Sequence, residues 1–410
     1  MRRVAITGFG AVSALGTGVA ALWDGLVAGR SGIRLITVCE TTGLTSPIAA
    51  EVPAFDPAPH IVGDQRLVLD RFSEFAIVAA AEARASAGLE LTDEERTRAG
   101  VAIGTGLGGA SREDEAYHNV YVKRMPRIHP FTIPRIMYNA AASHVSMAAG
   151  FQGPTFCTST ACASASHAIG EAAEKIRAGR ADVMLAGGAD APVAYGIMKA
   201  WEAMRVLAPP YQGDPARACR PFSRDRQGLV LGEGAGILVL EEWERAVRRG
   251  ATIHAELAGY GASADAGHIT APGVEAPARA IREALAQAGV SADGVQYINA
   301  HGTATRLNDS TETTILKSAF GDHARRLAIS STKSMHGHAM GASGALELIA
   351  SVLAIERGVV PPTANYTEFD PECDLDYVPN QAREMRVDVA VSNSFAFGGL
   401  NAVLLVRRAG

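Results

Sequence analysis

Cys162 stands in Thr160-Ala161-Cys162-Ala163-Ser164-Ala165-Ser166, a run of small residues opening a segment of good helix formers. A thiol at a helix N-terminus feels the positive end of the helix dipole. That lowers its pKa and raises the fraction present as thiolate. The small neighbours leave room for an acyl chain to approach. Together these features favour a nucleophile over a cysteine that only packs. Cys157 has no helix start beside it and reads as structural. Two histidine stations downstream offer partners. Asn299-Ala300-His301-Gly302-Thr303-Ala304-Thr305 puts one histidine directly after an apolar strand, and Lys333-Ser334-Met335-His336-Gly337-His338 puts two in a Gly-rich loop beside a lysine. Zinc binding through His336 and His338 lacks further ligands at suitable spacing, so no metal is expected.

A second motif, Gly104-Thr105-Gly106-Leu107-Gly108-Gly109, satisfies GxGxxG after a short apolar run. A dinucleotide site would want a helix next and an acid after a second strand. A polar segment, Ala110 to Asn119, follows instead, so the motif reads as a tight turn that needs permissive backbone.

These residues need elements to hold them. Apolar runs that end in glycine predict strands at Val4 to Thr7, Val101 to Ile103, Ala181 to Ala186, Gly236 to Leu240, Ile253 to Leu257, Val295 to Ala300, Val389 to Ser392 and Ala402 to Val406. Helical periods over 70–87, 163–178, 277–288 and 345–356 each run to a glycine stop, with Pro277 suited to a first helical position. Glu241 to Arg249 reads as a charged helical segment. Alternation of strands and helices predicts an α/β fold. Strands apolar throughout suit burial on both faces. The strand and helix series restarts past residue 250, so two halves, 1–250 and 251–410, are expected to pack as one body.

The chain has 410 residues, 38 Lys plus Arg against 43 Asp plus Glu, and a net charge of −5. With 48% hydrophobic and 20% charged residues it is globular in composition. Mild acidity excludes a strongly basic nucleic-acid footprint. The N-terminal Met1 to Gly16 lacks the leucine-rich centre of a secretory signal, and no apolar stretch is long enough for a membrane span. Five scattered cysteines without a CxxC read as reduced thiols of a cytoplasmic chain.

Four motifs occur in order: Thr160 to Ser164; His301 to Thr305 with Asn308-Asp309; Lys333-Ser334 with Gly337-His338 and Gly341; and Asn393-Ser394-Phe395-Ala396-Phe397-Gly398-Gly399. Together they resemble the β-ketoacyl-acyl-carrier-protein synthases of the synthase II type, and the likeness covers essentially the whole chain. Lys199 to Arg205, Ser263 to Asp265 with His268 to Pro272, and Glu312 to Thr314 are similar to nodulation-type ketosynthases. Ketosynthases of type II polyketide and polyene pathways are near relatives.

The resemblance implies a thiolase fold with duplicated α/β/α/β/α layers, generally dimeric. It implies decarboxylative Claisen condensation. An acyl chain moves from acyl carrier protein to Cys162, malonyl-carrier loses CO2, and the carbanion attacks the acyl thioester. No bound cofactor is expected; the phosphopantetheine arm of the carrier delivers substrate. The partner is a second copy or a chain-length factor. By the same resemblance Cys162 is the nucleophile, and the N–H groups of Cys162 and Phe397 form the oxyanion hole. His301 and His338 bond the malonyl thioester carbonyl. Lys333 organises their pocket with an acid, Glu347 or alternatively Asp309. Thr303 and Thr305 match phosphopantetheine-binding positions, and Leu107 and Phe397 match the acyl gate. Trp201 is expected near the pocket mouth. Arg205, with Arg66, Lys123, Arg124 and Arg127, either meets an acidic carrier or forms a solvated basic face. The sequence departs from the family at Ala396, Leu400 and Ser343, which bears on chain choice. A non-catalytic chain-length factor and a thiolase are the rival readings; Cys162 with both histidines argues against each.

Overall fold

A computed structural model describes residues 2–410. Ten strands carry the fold: β1 Val4–Ser13, β2 Ala99–Gly104, β3 Thr155–Thr158, β4 Val183–Asp190, β5 Gly234–Glu242, β6 Ala255–Ala264, β7 Tyr297–Asn299, β8 Ala328–Ser330, β9 Val389–Ala396 and β10 Leu400–Arg407. They line up in the order β8-β7-β9-β10-β6-β1-β5-β4-β2-β3. Within each set of five, the spatial order is third, second, fourth, fifth, first. The parallel and antiparallel pairings repeat as well: β2 is parallel to β3 and β4, and β7 to β8 and β9, while the last two pairings of each set are antiparallel. Among the described residues, the two sets pair through Ala5 with Glu256 and Ile6 with Ala255. The architecture is therefore duplicated.

Seven helices matter here: α1 Arg71–Ser86, α2 Ala110–Tyr121, α3 Ser164–Arg177, α4 Tyr195–Ala203, α5 Glu275–Ala288, α6 Arg306–Phe320 and α7 Ser343–Arg357. α3 and α7 touch each other and strands of both sets, whereas α1 covers the outer face of one sheet and α5 that of the other. The result is α/β/α/β/α layering, as the resemblance implies. α7 is buried from Ser343 to Ile355, so it needs no polar face, and its sequence is apolar nearly all round. α3 uses alanine, glycine and serine to approach neighbouring elements closely.

The predicted strands are all present, and β1 runs well past Thr7 to Ser13, fully buried. Several boundaries shift, among them β4, which runs to Asp190, and β6, which runs to Ala264. α5 begins at Glu275, so Pro277 sits third in the helix rather than first. β5 continues to Glu242, and the charged segment is helical only over Trp243–Arg248. Glu242 is the reason: its carboxylate accepts hydrogen bonds from the N–H groups of Glu244 and Arg245 and caps that helix.

Candidate active site

Each half presents the start of its central helix to the same place. After β3 the chain turns through Ala161, whose φ of +49° is unusual for a residue with a Cβ, into a 3-10 turn at Ala161–Ala163 and then α3. The second half repeats this geometry: Met340 has φ +48°, a 3-10 turn spans Met340–Ala342, and α7 follows. Such strain persists only where the surroundings hold it. The surroundings here are tight. A Cβ on Gly104, at the end of β2, would lie 2.2 Å from the Ser164 carbonyl carbon, so only glycine lets the strand end meet the start of α3.

Cys162 sits in the first turn, 5% exposed. The backbone N–H groups of Phe397 and of Cys162 itself act on the thiol in the direction that lowers its pKa. The pKa expectation is overturned. Burial pushes the thiol up to about 12, and the nearby Lys333 and the two N–H groups lower it only in part. Desolvation outweighs the helix start because the sulfur is buried. At rest Cys162 is a thiol, with Lys333 and the two N–H groups favouring the charged form.

His338 Nε2 lies 3.0 Å from Cys162 Sγ, and its Nδ1 lies 2.9 Å from Ser343 Oγ. His301 packs edge-on against His338, with ring centroids 5.5 Å apart. Burial, followed by the Lys333 charge, holds both imidazoles well below the ordinary histidine value, so both are neutral at pH 7. Lys333 and Glu347 are both fully buried and form an ion pair. The choice of acid is thereby decided for Glu347. Asp309 pairs instead with Arg226 at 3.5 Å and accepts the Phe222 N–H at 2.8 Å, and burial raises it to about 6. It braces the loop that leads to Thr305. Cys162, His301 and His338 place their ligand atoms within 4.8 Å of one another, the donor set of a zinc site. The buried Lys333 charge acts on all three and opposes a second cation there. His336 is not part of this group; its Nε2 is 3.0 Å from Thr332 Oγ1.

A cavity of about 260 Å³ opens onto the three residues, lined also by Trp201, Thr303, Thr305 and Phe397. Trp201 stacks on Phe397 with centroids 5.8 Å apart. The hydroxyls of Thr303 and Thr305 are 3.0 Å apart at the cavity wall. Leu107 is not brought to this cavity; it lies on the turn after β2. Arg205 is exposed just beyond α4, beside the cavity-lining Met204. Lys123, Arg124 and Arg127 are exposed farther along the surface, and exposed Arg66 is paired with Glu74.

Three features escaped the sequence reading. Asp190, at the end of β4, accepts the N–H groups of Gly106, Leu107 and Gly341 and the Thr105 hydroxyl. It ties the GxGxxG turn to the turn before α7. A helix, α2, does follow that motif, contrary to expectation. The amides that would cradle a phosphate are occupied by a carboxylate, so the turn is not a nucleotide site. The segment at Asp265 to Pro272 also has a place: Gly398 donates to the Ile269 carbonyl, and Asn401 donates to Asp265, so this loop clasps the turn carrying Phe397.

Glu312 is the third. It accepts the N–H groups of His301 and Gly302 at 2.8 and 2.7 Å and the Asn393 amide at 3.2 Å, yet burial pushes it up to about 7. Its folded pKa is raised, so its contribution to stability is full below about 4.5 and is lost as pH rises through about 7. Glu312→Gln places an amide N–H against backbone donors and is expected to cost about 1–3 kcal/mol. The stability gap between wild type and variant should narrow from pH 4.5 to 7 in denaturant titrations. A gap that widens over that range would contradict the assignment.

Two family models match the chain: Beta-ketoacyl synthase, N-terminal domain, over residues 1–246, and Beta-ketoacyl synthase, C-terminal domain, over residues 254–367. The chain is 51% identical over 407 residues to nodulation protein E of Rhizobium meliloti (strain 1021), covering 99% of each chain. It is 42% identical over 409 residues to 3-oxoacyl-[acyl-carrier-protein] synthase 2 of Staphylococcus aureus (strain N315), covering 99% of this chain and 98% of that one. Among solved structures, the ishigamide ketosynthase/chain length factor is similar with a TM-score of 0.93 and 40% identity over 100% of both chains. The chain belongs to the β-ketoacyl synthases, and so to the acyl-transferring condensing enzymes.

Proposed function

We propose that this chain extends carrier-bound acyl groups by two carbons through Cys162, His301 and His338. In the first half-reaction Cys162 Sγ forms a bond to the acyl carbon, the carrier thioester C–S bond breaks, and the thiol proton leaves on the phosphopantetheine thiol. In the second, malonyl-carrier loses CO2, and the electron pair left behind forms an enolate. Its oxygen sits against the N–H groups of His301 and His338. Neutral imidazoles suit this role because the negative charge appears only as the reaction proceeds. The enolate carbon attacks the Cys162 thioester. The N–H groups of Cys162 and Phe397 hold the resulting oxyanion, which collapses and expels the cysteine thiolate. Thr303 and Thr305 bond the amides of the arm. Lys333, neutralised by Glu347, keeps the pocket electropositive towards sulfur. Phe397 gates the acyl pocket, and Trp201 narrows its mouth.

One observation carries this reading: a buried cysteine whose sulfur lies 3.0 Å from the Nε2 of a neutral histidine, with a second neutral histidine packed beside it. The carrier protein named for the Staphylococcus relative supports acyl carrier protein as partner, with Arg205, Arg66, Lys123, Arg124 and Arg127 as docking positions. Exposed apolar residues between Tyr117 and Tyr138, among them Tyr121, Met125, Phe131 and Met137, support a protein partner over that face. That partner is a second copy or, as the ishigamide relative suggests, a chain length factor. The division into halves at 250 is supported by the repeated strand order. No helix among the described residues is long and apolar enough to cross a membrane. With five free cysteines, this fits a cytoplasmic setting. The nodulation relative favours a dedicated acyl pathway over general fatty-acid elongation. The test is incubation with acyl-carrier and malonyl-carrier thioesters of graded chain length. A β-ketoacyl-carrier two carbons longer, with release of CO2, is expected; absence of product with every chain, alone and with a chain length factor, would overturn the reading.

A further inference from the structure

Ser343 is buried, 1% exposed, in the first turn of α7. Its hydroxyl has one hydrogen-bond partner among the described residues, the Nδ1 of His338 at 2.9 Å. Duplication of the fold supplies an internal comparison. Ser164 occupies the matching place at the start of α3; its hydroxyl donates to the Ala161 carbonyl at 2.7 Å and accepts the Thr160 N–H at 2.9 Å. Ser164 uses its hydroxyl to close its own turn. Ser343, on the same backbone, turns its hydroxyl to the histidine instead.

The direction of that bond follows from counting donors. A serine hydroxyl has one proton to give, and each nitrogen of a neutral imidazole either gives or accepts. If Nδ1–H donated to Ser343, the buried Ser343 proton would have no acceptor. Buried donors without partners are rare and costly. If Ser343 donates to Nδ1, the hydroxyl proton is satisfied and the single ring proton sits on Nε2; only the weakly donating Cys162 S–H then goes without an acceptor, a smaller cost than an orphaned hydroxyl. Nε2 faces Cys162 Sγ at 3.0 Å and the cavity.

We propose that Ser343 is a positioning residue that holds His338 as the Nε2–H tautomer, fixing it as a hydrogen-bond donor to the Cys162 sulfur and to the substrate carbonyl. The inference rests on the condensing role proposed above only for its kinetic consequence. Burial and the Lys333 charge keep the ring neutral, so the choice between its two nitrogens is the choice between donor and acceptor. A donor at this point favours thiolate over thiol during loading and stabilises the enolate during decarboxylation. An acceptor would do neither. A residue with no hydroxyl at 343 would leave the ring free to adopt either tautomer.

The test has two readouts on the full chain. In protein labelled with [15N]histidine, with His338 assigned by its loss in His338→Gln, wild type is expected to carry its proton on Nε2 with a bare Nδ1. Ser343→Thr should keep this signature and Ser343→Ala should give a mixture. A wild-type ring protonated on Nδ1 overturns the proposal whatever the activity. For malonyl-carrier decarboxylation, loss of one such hydrogen bond should lower kcat about fivefold in Ser343→Ala at unchanged KM, with recovery in Ser343→Thr. An unchanged kcat in Ser343→Ala, or an equal fall in Ser343→Thr, overturns it. A wild type that shows the Nε2–H signature but decarboxylates nothing contradicts the condensing role and leaves the tautomer assignment standing.

Discussion

Lys333→Met is expected to lower stability by about 3–5 kcal/mol, the cost of breaking a fully buried ion pair by removing one partner. Neither Lys333 nor Glu347 has any side-chain exposure. Oε2 of Glu347 has no hydrogen-bond partner, so Lys333 is the main compensation for its charge. Burial already pushes the Glu347 pKa up, and without the lysine this carboxyl either takes up a proton or remains as an isolated charge. The double variant Lys333→Met with Glu347→Leu removes both charges and is expected to recover most of the loss. Its chemistry should stay impaired. The Lys333 charge lowers the Cys162 thiol pKa against desolvation, so its removal makes a thiol already near 12 harder to ionise. Stability and acyl loading should therefore separate in the double variant. Denaturant midpoints and loading rates measured on the same samples check this, and a single Lys333→Met variant as stable as wild type would contradict it.

His301→Ala carries the second large effect, expected in chemistry rather than stability. If His301 donates to the developing enolate oxygen, its loss should cost about 10²–10³ in the condensation rate, as for other donors aimed at developing negative charge. Loading of Cys162 should be far less affected, because the contact to sulfur comes from His338. His301→Gln retains an N–H donor and should recover part of the loss. The backbone N–H of His301 is bound by Glu312, so the loop stays anchored when the ring is removed. Separate rates for loading and for decarboxylation decide the matter. A His301→Ala variant that condenses at the wild-type rate, or that fails equally at loading, would contradict the division of labour between the two histidines.

That Cys162, His301 and His338 belong together was legible because each carries a local signature: small residues before a helix at Cys162, and histidines directly after strands or within glycine turns. Eight of the ten strands were legible because they are buried on both faces and apolar, whereas the short β3, with Thr155 and Thr158, and the three-residue β8 carry no such run. Long-range closure was not legible. Asp190 acts through Gly106 and Gly341, 84 and 151 positions away, and nothing beside it in sequence marks it as the tie between two turns. Glu312 stood out only as part of a family-like segment; α6 is what carries it beneath the His301 loop. Ser343 registered as a departure from the family, and its partner became visible only once the turn before α7 was folded. The thiol pKa was misjudged for a related reason. A helix start is read from local sequence, whereas desolvation depends on everything packed around it, here α4, the end of β9 and the His301–His338 pair. Leu107 lies outside the cavity, on a turn drawn to Asp190.

Acyl occupancy of Cys162 tests the account most directly. Intact-mass spectrometry of wild type and Cys162→Ala, each mixed with acyl-carrier thioesters and then with malonyl-carrier, reads both half-reactions. The account predicts one acyl adduct on wild type, none on Cys162→Ala, and loss of the adduct when malonyl-carrier is added. An adduct of equal yield on Cys162→Ala, or a wild-type adduct that malonyl-carrier never discharges, would contradict it.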